Sequence, residues 1–142
     1  MYPTFNNGDY LIVDQLSYNF EEPQRGEVII FRYPKDTKRF FIKRIIGLPE
    51  ETVTIKDGLV RISNDDKPRG FDLSNEYVEK LSTDDLVYEL SEDEYFVMGD
   101  NRTNSSDSRV WGGVQEKFII GRAFIRLLPI NAIGLFPGNF DY

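Results

Sequence analysis

Residues Phe40–Pro49 read FFIKRIIGLP. In an extended chain, Phe41, Lys43 and Ile45 share one face, and Phe40, Ile42, Arg44 and Ile46 share the other. The β-branched and aromatic content predicts a strand, which Gly47 and Pro49 end. Lys43 then lies between two large apolar neighbours on a face the fold would cover. Burial disfavours an ammonium, so such a lysine has a lowered pKa and is a candidate general base. The alternative is a lysine whose stem lies along a sheet edge and whose amine reaches solvent.

Outward from this stretch the chain reads as short strands. Tyr10–Val13 (YLIV) predicts a short buried strand after Met1–Asn7, an extended segment that turns at Asn6-Asn7-Gly8-Asp9. Glu27–Arg32 predicts the next strand, stopped by Tyr33-Pro34-Lys35-Asp36, and Ser17–Gly26 before it reads as a loop. Thr52–Lys56 and Leu59–Ile62 flank Asp57-Gly58, a strong hairpin signal. Glu94–Met98 and Phe118–Leu127 complete the set, the latter with a bulge or close backbone contact expected at Gly121. The expectation is a mostly-β fold of about eight strands, coiled into a barrel or sandwich, forming one domain over residues 1–142. Residues 63–94 are predicted to be an acidic, solvated excursion inserted in it, with a short helix near Asn75–Leu81. Residues 57–94 hold twelve acids against four basic residues, the pattern of a solvated surface.

Composition narrows the chemistry. The 142 residues contain no histidine and no cysteine. Ser-His-Asp and Cys-His catalysis, thiolate chemistry, His- or Cys-based zinc sites and disulfides are thereby excluded, and no metal or cofactor is expected. A Ser–Lys pair is the one common nucleophile arrangement that passes this filter. A net charge of -7 argues against nucleic acid as partner, which needs clustered Lys and Arg. No run approaches a membrane span, and no signal peptide is visible at the N-terminus.

The polar loop Gly99–Gly113 concentrates Asp100, Asn101, Arg102, Asn104, Ser105, Ser106, Asp107, Ser108 and Arg109. It reads either as a loop held by its own Asx and Ser turns or as a catalytic loop.

Four blocks in this order resemble the type I signal peptidase family of membrane-bound Ser–Lys proteases. They are MYPTF (Met1–Phe5), RGEVIIF (Arg25–Phe31), FIKRIIGLP (Phe41–Pro49) and MGDNRTNSSDSRVWG (Met98–Gly112), followed by Gly121-Arg122-Ala123 and Pro129. The resemblance spans nearly all of the chain outside the acidic excursion. It implies that Lys43 is the general base and that Ser105 hydrogen-bonds and orients it. It implies an ion pair between Asp107 and Arg109 that holds the loop, a second between Asp100 and Arg44, and a supporting role for Asn101 and Arg102. Met1, Phe5, Phe41 and Ile42 fall where the family lines shallow pockets for small residues at positions −1 and −3 of a signal peptide, giving Ala-X-Ala preference.

The implied partners are signal peptides of exported preproteins and a membrane surface, with the catalytic domain on the extracytoplasmic face of the cell membrane. The family's nucleophilic serine immediately precedes the methionine matched by Met1. The chain is therefore expected to start just past its nucleophile and its membrane anchor, and to be inactive by itself. A catalytically inactive relative that binds or assembles on extended peptides is the alternative. A cytosolic self-cleaving repressor-type protease fits less well, because the Gly99–Gly112 block is long and no helix-turn-helix pattern is present. The tail Ile133–Phe140 (IGLFPGNF) reads either as apolar surface for lipid or as ordinary edge packing.

Overall fold

The computed structural model describes residues Met1–Tyr142. Strands β1 (Tyr10–Asp14), β2 (Val28–Tyr33), β3 (Asp36–Gly47), β4 (Thr52–Lys56), β5 (Leu59–Ser63), β6 (Phe71–Asp72), β7 (Leu86–Glu89) and β8 (Glu94–Met98) precede a single helical turn, α1 (Ser108–Trp111). Strands β9 (Val114–Gln115), β10 (Ile119–Leu128) and β11 (Gly134–Leu135) follow it. A seven-stranded sheet runs in the order β1-β10-β2-β3-β8-β9, with β11 added to β10, and a four-stranded sheet runs β6-β5-β4-β7. Every pairing is antiparallel, with short hairpin connections at β2–β3 and β4–β5 and longer-range pairing at β1–β10, β2–β10, β3–β8 and β4–β7, and no pairing closes either sheet into a ring.

The FFIKRIIG stretch is the second part of β3, the strand on which the two faces of the large sheet are built. Phe41 and Ile45 pack into a cluster with Ile29, Phe31, Tyr95, Val97 and Val114. On the opposite face, Ile42 joins Phe5, Val28 and Ala123. Ile46 joins a third cluster with Val53, Ile55, Val60, Ile62, Phe96 and Met98, which ties the two sheets together. Arg44 sits between Ile42 and Ile46 on that face and is fully buried. The alternation expected from the sequence therefore holds residue by residue. The reason is that period 2 commits each side chain to one face once the strand forms.

The Asp57-Gly58 hairpin forms, and both residues take positive φ (50° and 76°), the conformation that a two-residue primed turn demands. Gly121 lies at a register shift against β2, and a Cβ there would sit 2.0 Å from the Asp14 carbonyl oxygen. It is both an irregularity and a close approach.

Several expectations need correction. The segment 63–94 is not merely a solvated excursion. Its strands β6 and β7 flank the hairpin, and its Leu73 and Leu90 enter the core. The Asn75–Leu81 helix does not form. That stretch is turns, because no apolar face at helical spacing exists to bury and its polar side chains are engaged elsewhere. The Tyr10–Asp14 strand is an edge strand paired only with β10, so Tyr10 is 63% exposed and the run is not buried. Met1–Phe5 is turned rather than extended, with the Phe5 amide donating to the Met1 carbonyl. Two-residue strands account for most of the excess of eleven strands over eight.

Candidate active site

Lys43 projects from β3 on the face of Phe41, with Nζ 5.5 Å from that ring's centroid. It is half-buried and takes part in no salt bridge. Burial pulls its ammonium below the ordinary lysine range; Asp107 and Asp100 push back, and Arg109 adds to the lowering. The Met1 amino group is also lowered, first by burial and then by the positive charge of Lys43. The backbone nitrogen of Met1 is thus within electrostatic reach of the lysine.

Ser105 comes from the loop after β8. Its Oγ is buried and has no hydrogen-bond partner. Gly99 brings it to Lys43: a Cβ on Gly99 would lie 2.2 Å from Ser105 Oγ and 3.7 Å from Lys43 Cδ. Serine and lysine therefore converge on Gly99, a residue of the loop without a side chain. The expected Ser105–Lys43 hydrogen bond itself is not formed; the hydroxyl lies near the lysine stem and on the Asp107 side of the loop, where it helps lower that carboxyl's pKa. Gly99→Ala is expected to displace Ser105, because the new methyl overlaps both Oγ and Cβ of that serine (2.2 and 2.8 Å). The outcome is a stability loss of about 1–3 kcal/mol in chemical denaturation, with the Ser105 amide resonance strongly shifted.

Two bidentate ion pairs flank this pair. Asp100 accepts from Arg44 Nε at 2.9 Å and Nη2 at 2.8 Å, with Arg44 and Asp100 side chains 1% and 0% exposed. Arg44 Nη1 also donates to the carbonyls of Gly26 and Gly138, and the Thr4 hydroxyl donates to Asp100. The Arg44 guanidinium lies 4.1 Å from the Tyr77 ring centroid. Every hydrogen-bonding direction of the Arg44 end group is thus used or covered, the condition under which burying such a charge is tolerable.

Asp107 accepts from Arg109 Nε at 2.8 Å and Nη2 at 2.9 Å, and caps α1 through the Arg109 amide. The Gly99 amide also donates to it, at 3.0 Å. Burial opposes the Asp107 charge, but the Arg109 bonds and charge and the Gly99 amide together hold its carboxyl below the usual range. This cross-link from α1 back to Gly99 closes the loop around Ser105. Ser108 adds to it by accepting from the Val97 amide at 2.9 Å.

Arg102 and Asn101 make no hydrogen bond with Lys43 or with the two ion-paired carboxylates, although Arg102 lines a cavity with Ser105 and Arg109. Arg102 is buried against the segment after β6, donating to Asn75 at 3.3 Å and the Tyr77 hydroxyl at 3.0 Å. Asn101 only stabilises its own turn, accepting from Thr103 Oγ1 and the Asn104 amide. The four residues expected to line the shallow pockets fall on the two faces of β3, as the alternation of the strand requires. Met1, Phe5 and Ile42 share a cluster, whereas Phe41 packs on the opposite face of β3 with Phe31 and Tyr33 and backs Lys43. Odd and even positions of one strand cannot share a face. Sequence reasoning missed Thr4, Tyr77, Ser82, Asp84 and Gly138, all of which contact these ion pairs. Thr4 lies in the MYPTF block without being singled out by it, and the other four lie in no periodic or motif-like context.

Residues 1–128 match the family model described as signal peptidase, peptidase S26. The chain belongs to the signal peptidase family. Among curated relatives, signal peptidase I of Leptolyngbya laminosa is 40% identical over 144 residues, covering 94% of this chain and 67% of that protein. Probable signal peptidase I-1 of Synechocystis sp. is 38% identical over 150 residues, covering all of this chain and 73% of the relative. A crystal structure of a signal peptidase I from Enterococcus faecalis superposes with a TM-score of 0.61 at 31% identity, covering 72% of this chain and 97% of that one. Signal peptidases are proteases that process signal peptides, and the mostly-β fold of this chain is theirs.

Proposed function

We propose that this chain is the catalytic domain of a type I signal peptidase. In this reading it cleaves exported preproteins after Ala-X-Ala-like sites by a Ser–Lys mechanism. The observation that carries the proposal is Lys43: half-buried against Phe41, outside every ion pair, shifted toward its neutral form, and beside the buried hydroxyl of Ser105.

Neutral Lys43 accepts the proton of a serine hydroxyl as that oxygen attacks the scissile carbonyl. It returns the proton to the leaving amine, and it then activates the water that releases the acyl group. The family pattern places the nucleophile directly before Met1, and the Met1 nitrogen lies within the field of Lys43. Ser105 orients Lys43, and the Asp107–Arg109 and Asp100–Arg44 pairs hold the loop and β3 in register.

Substrate docks in extended form. Strand β8 first pairs with β3 at Arg44, so residues 36–43 of β3 have β2 on one side and no strand partner on the other. A signal peptide added along that edge gains backbone hydrogen bonds and leads to Lys43. Met1, Phe5 and Ile42, which share one apolar cluster, supply the apolar side chains that meet the small residues of the signal peptide. No helix of the structure is long and apolar enough to cross a membrane. Ile130, Ile133 and Leu135 are 76%, 59% and 65% exposed, a surface suited to lie on the extracytoplasmic face of a bilayer.

The test uses this chain and the same chain lengthened by its native upstream residues, each offered a fluorogenic Ala-X-Ala peptide in detergent. Cleavage after the second alanine is expected from the lengthened chain alone. Leucine at the −1 position should lower kcat/KM by roughly 100-fold. A lengthened chain that binds the peptide without cutting it would replace the enzyme by a peptide-binding relative.

A further inference from the structure

Arg109 bridges two segments of the chain. Its Nε and Nη2 hold Asp107, while Nη1 donates to Ser82 Oγ at 3.0 Å and to Asp84 Oδ2 at 2.6 Å. Ser82 and Asp84 belong to the acidic segment between β6 and β7, which the sequence presents as solvated surface. Ser82 is buried, the Arg109 side chain is 7% exposed, and the Asp84 side chain is 47% exposed. A cavity of about 270 Å³ lies between this segment and the catalytic loop, and its lining includes Asp84, Asp85, Arg102, Ser105 and Arg109. The acidic segment therefore forms the outer wall of the space into which Ser105 and the ion-paired loop face.

We propose that Ser82 and Asp84 are positioning residues: through Arg109 they fix Asp107, and with it the electrostatic setting of Lys43. This rests on the reading of Lys43 as the base. The geometry explains the coupling. Asp107 accepts from the Gly99 amide, and Gly99 is the residue on which Ser105 and Lys43 converge. An Arg109 held at only one end can swing about Asp107 and loosen both.

The charges that face Lys43 are Asp107, Asp100, Arg109 and the Met1 amino group; Arg44, from the other face of β3, is committed to Asp100. Those that face Arg109 are Asp107 and Asp84, with Asp85 and Arg102 across the cavity. Asp107 favours the charged lysine and Arg109 the neutral one. An arginine that disengages leaves Asp107 less compensated, so the lysine holds its proton to higher pH.

The experiment compares wild type, Ser82→Ala/Asp84→Ala and Asp84→Asn. Activity is measured on the lengthened protein described above. The double variant should lose about tenfold in kcat with KM unchanged, and the acidic limb of its kcat profile should move to higher pH. Asp84→Asn keeps an acceptor for Nη1 and should retain most of the activity. In parallel, the Lys43 side chain is titrated by carbon-13 NMR in this chain, with Lys43→Arg to assign the signal. Its midpoint should rise in the double variant while the circular dichroism spectrum stays that of wild type. A fall in kcat with neither limb nor midpoint displaced would reduce Ser82 and Asp84 to ordinary packing and overturn the proposal. A displaced midpoint in a protein that never cleaves would keep the coupling and sink the enzyme reading instead.

Discussion

Lys43→Met is expected to abolish the proposed cleavage by the lengthened protein and to yield a chain more stable than wild type at neutral pH. Both parts follow from one fact, the burial of an amine that has no carboxylate partner. Loss of a general base removes on the order of 10³-fold in kcat, and methionine fills the same space against Phe41 without a proton to exchange. The stability gain has a definite pH dependence. The folded-state pKa of Lys43 lies below its unfolded value, so below the folded pKa the folded chain must bury a charged ammonium and the penalty on folding is fully present. The penalty fades as pH rises from the folded pKa toward the ordinary lysine value of about 10.4. Thermal melts of Lys43→Met and wild type should therefore differ most below the folded-state pKa of Lys43 and converge in strong alkali. Equal melting temperatures at pH 7 would mean that the amine reaches water and is no base.

Asp100→Ala should cost about 3–5 kcal/mol in urea unfolding, the range for removing one partner of a buried pair. The Arg44 side chain is 1% exposed, and without Asp100 its Nε and Nη2 would face no acceptor. The Thr4 hydroxyl would lose its acceptor as well, freeing the Met1–Phe5 turn that packs on Ile42. The melting temperature should fall by roughly 10 °C or more. Asp72→Ala makes the matched control, because its bidentate partner Arg61 is 54% exposed and that pair stands in solvent. A surface pair of this kind should leave the melting temperature almost unchanged. If the two variants behave alike, the Arg44–Asp100 pair is not buried in solution.

Much of the fold and of the candidate site is legible in the amino-acid sequence. The face assignment along β3, the Asp57-Gly58 hairpin and the close approach at Gly121 follow from patterns a few residues long. The absence of histidine and cysteine confines the chemistry to what a lysine and a hydroxyl can do. The Met98–Gly112 block marks a loop in which Asp107 does pair with Arg109, and Asp100 does meet Arg44. Ser105 lies beside Lys43, although their hydrogen bond is not formed.

What the sequence by itself determined, then, was local: which residues alternate, where the chain turns, and which polar residues crowd into one loop. Steric rules for strands and turns act over two to four residues and leave their imprint there. Only the tertiary structure decided that the acidic segment adds β6 and β7 to the hairpin and sends Ser82 and Asp84 to Arg109. It alone decided that Gly138 closes on Arg44 and that Met1 and Phe5 pack on the Ile42 face of β3. These contacts join residues 25 positions apart for Asp84 and Arg109, and 94 apart for Arg44 and Gly138. Such pairs obey no period, because they are set by how two sheets pack across a shared core, and a polar stretch looks the same in sequence whether it meets water or an arginine.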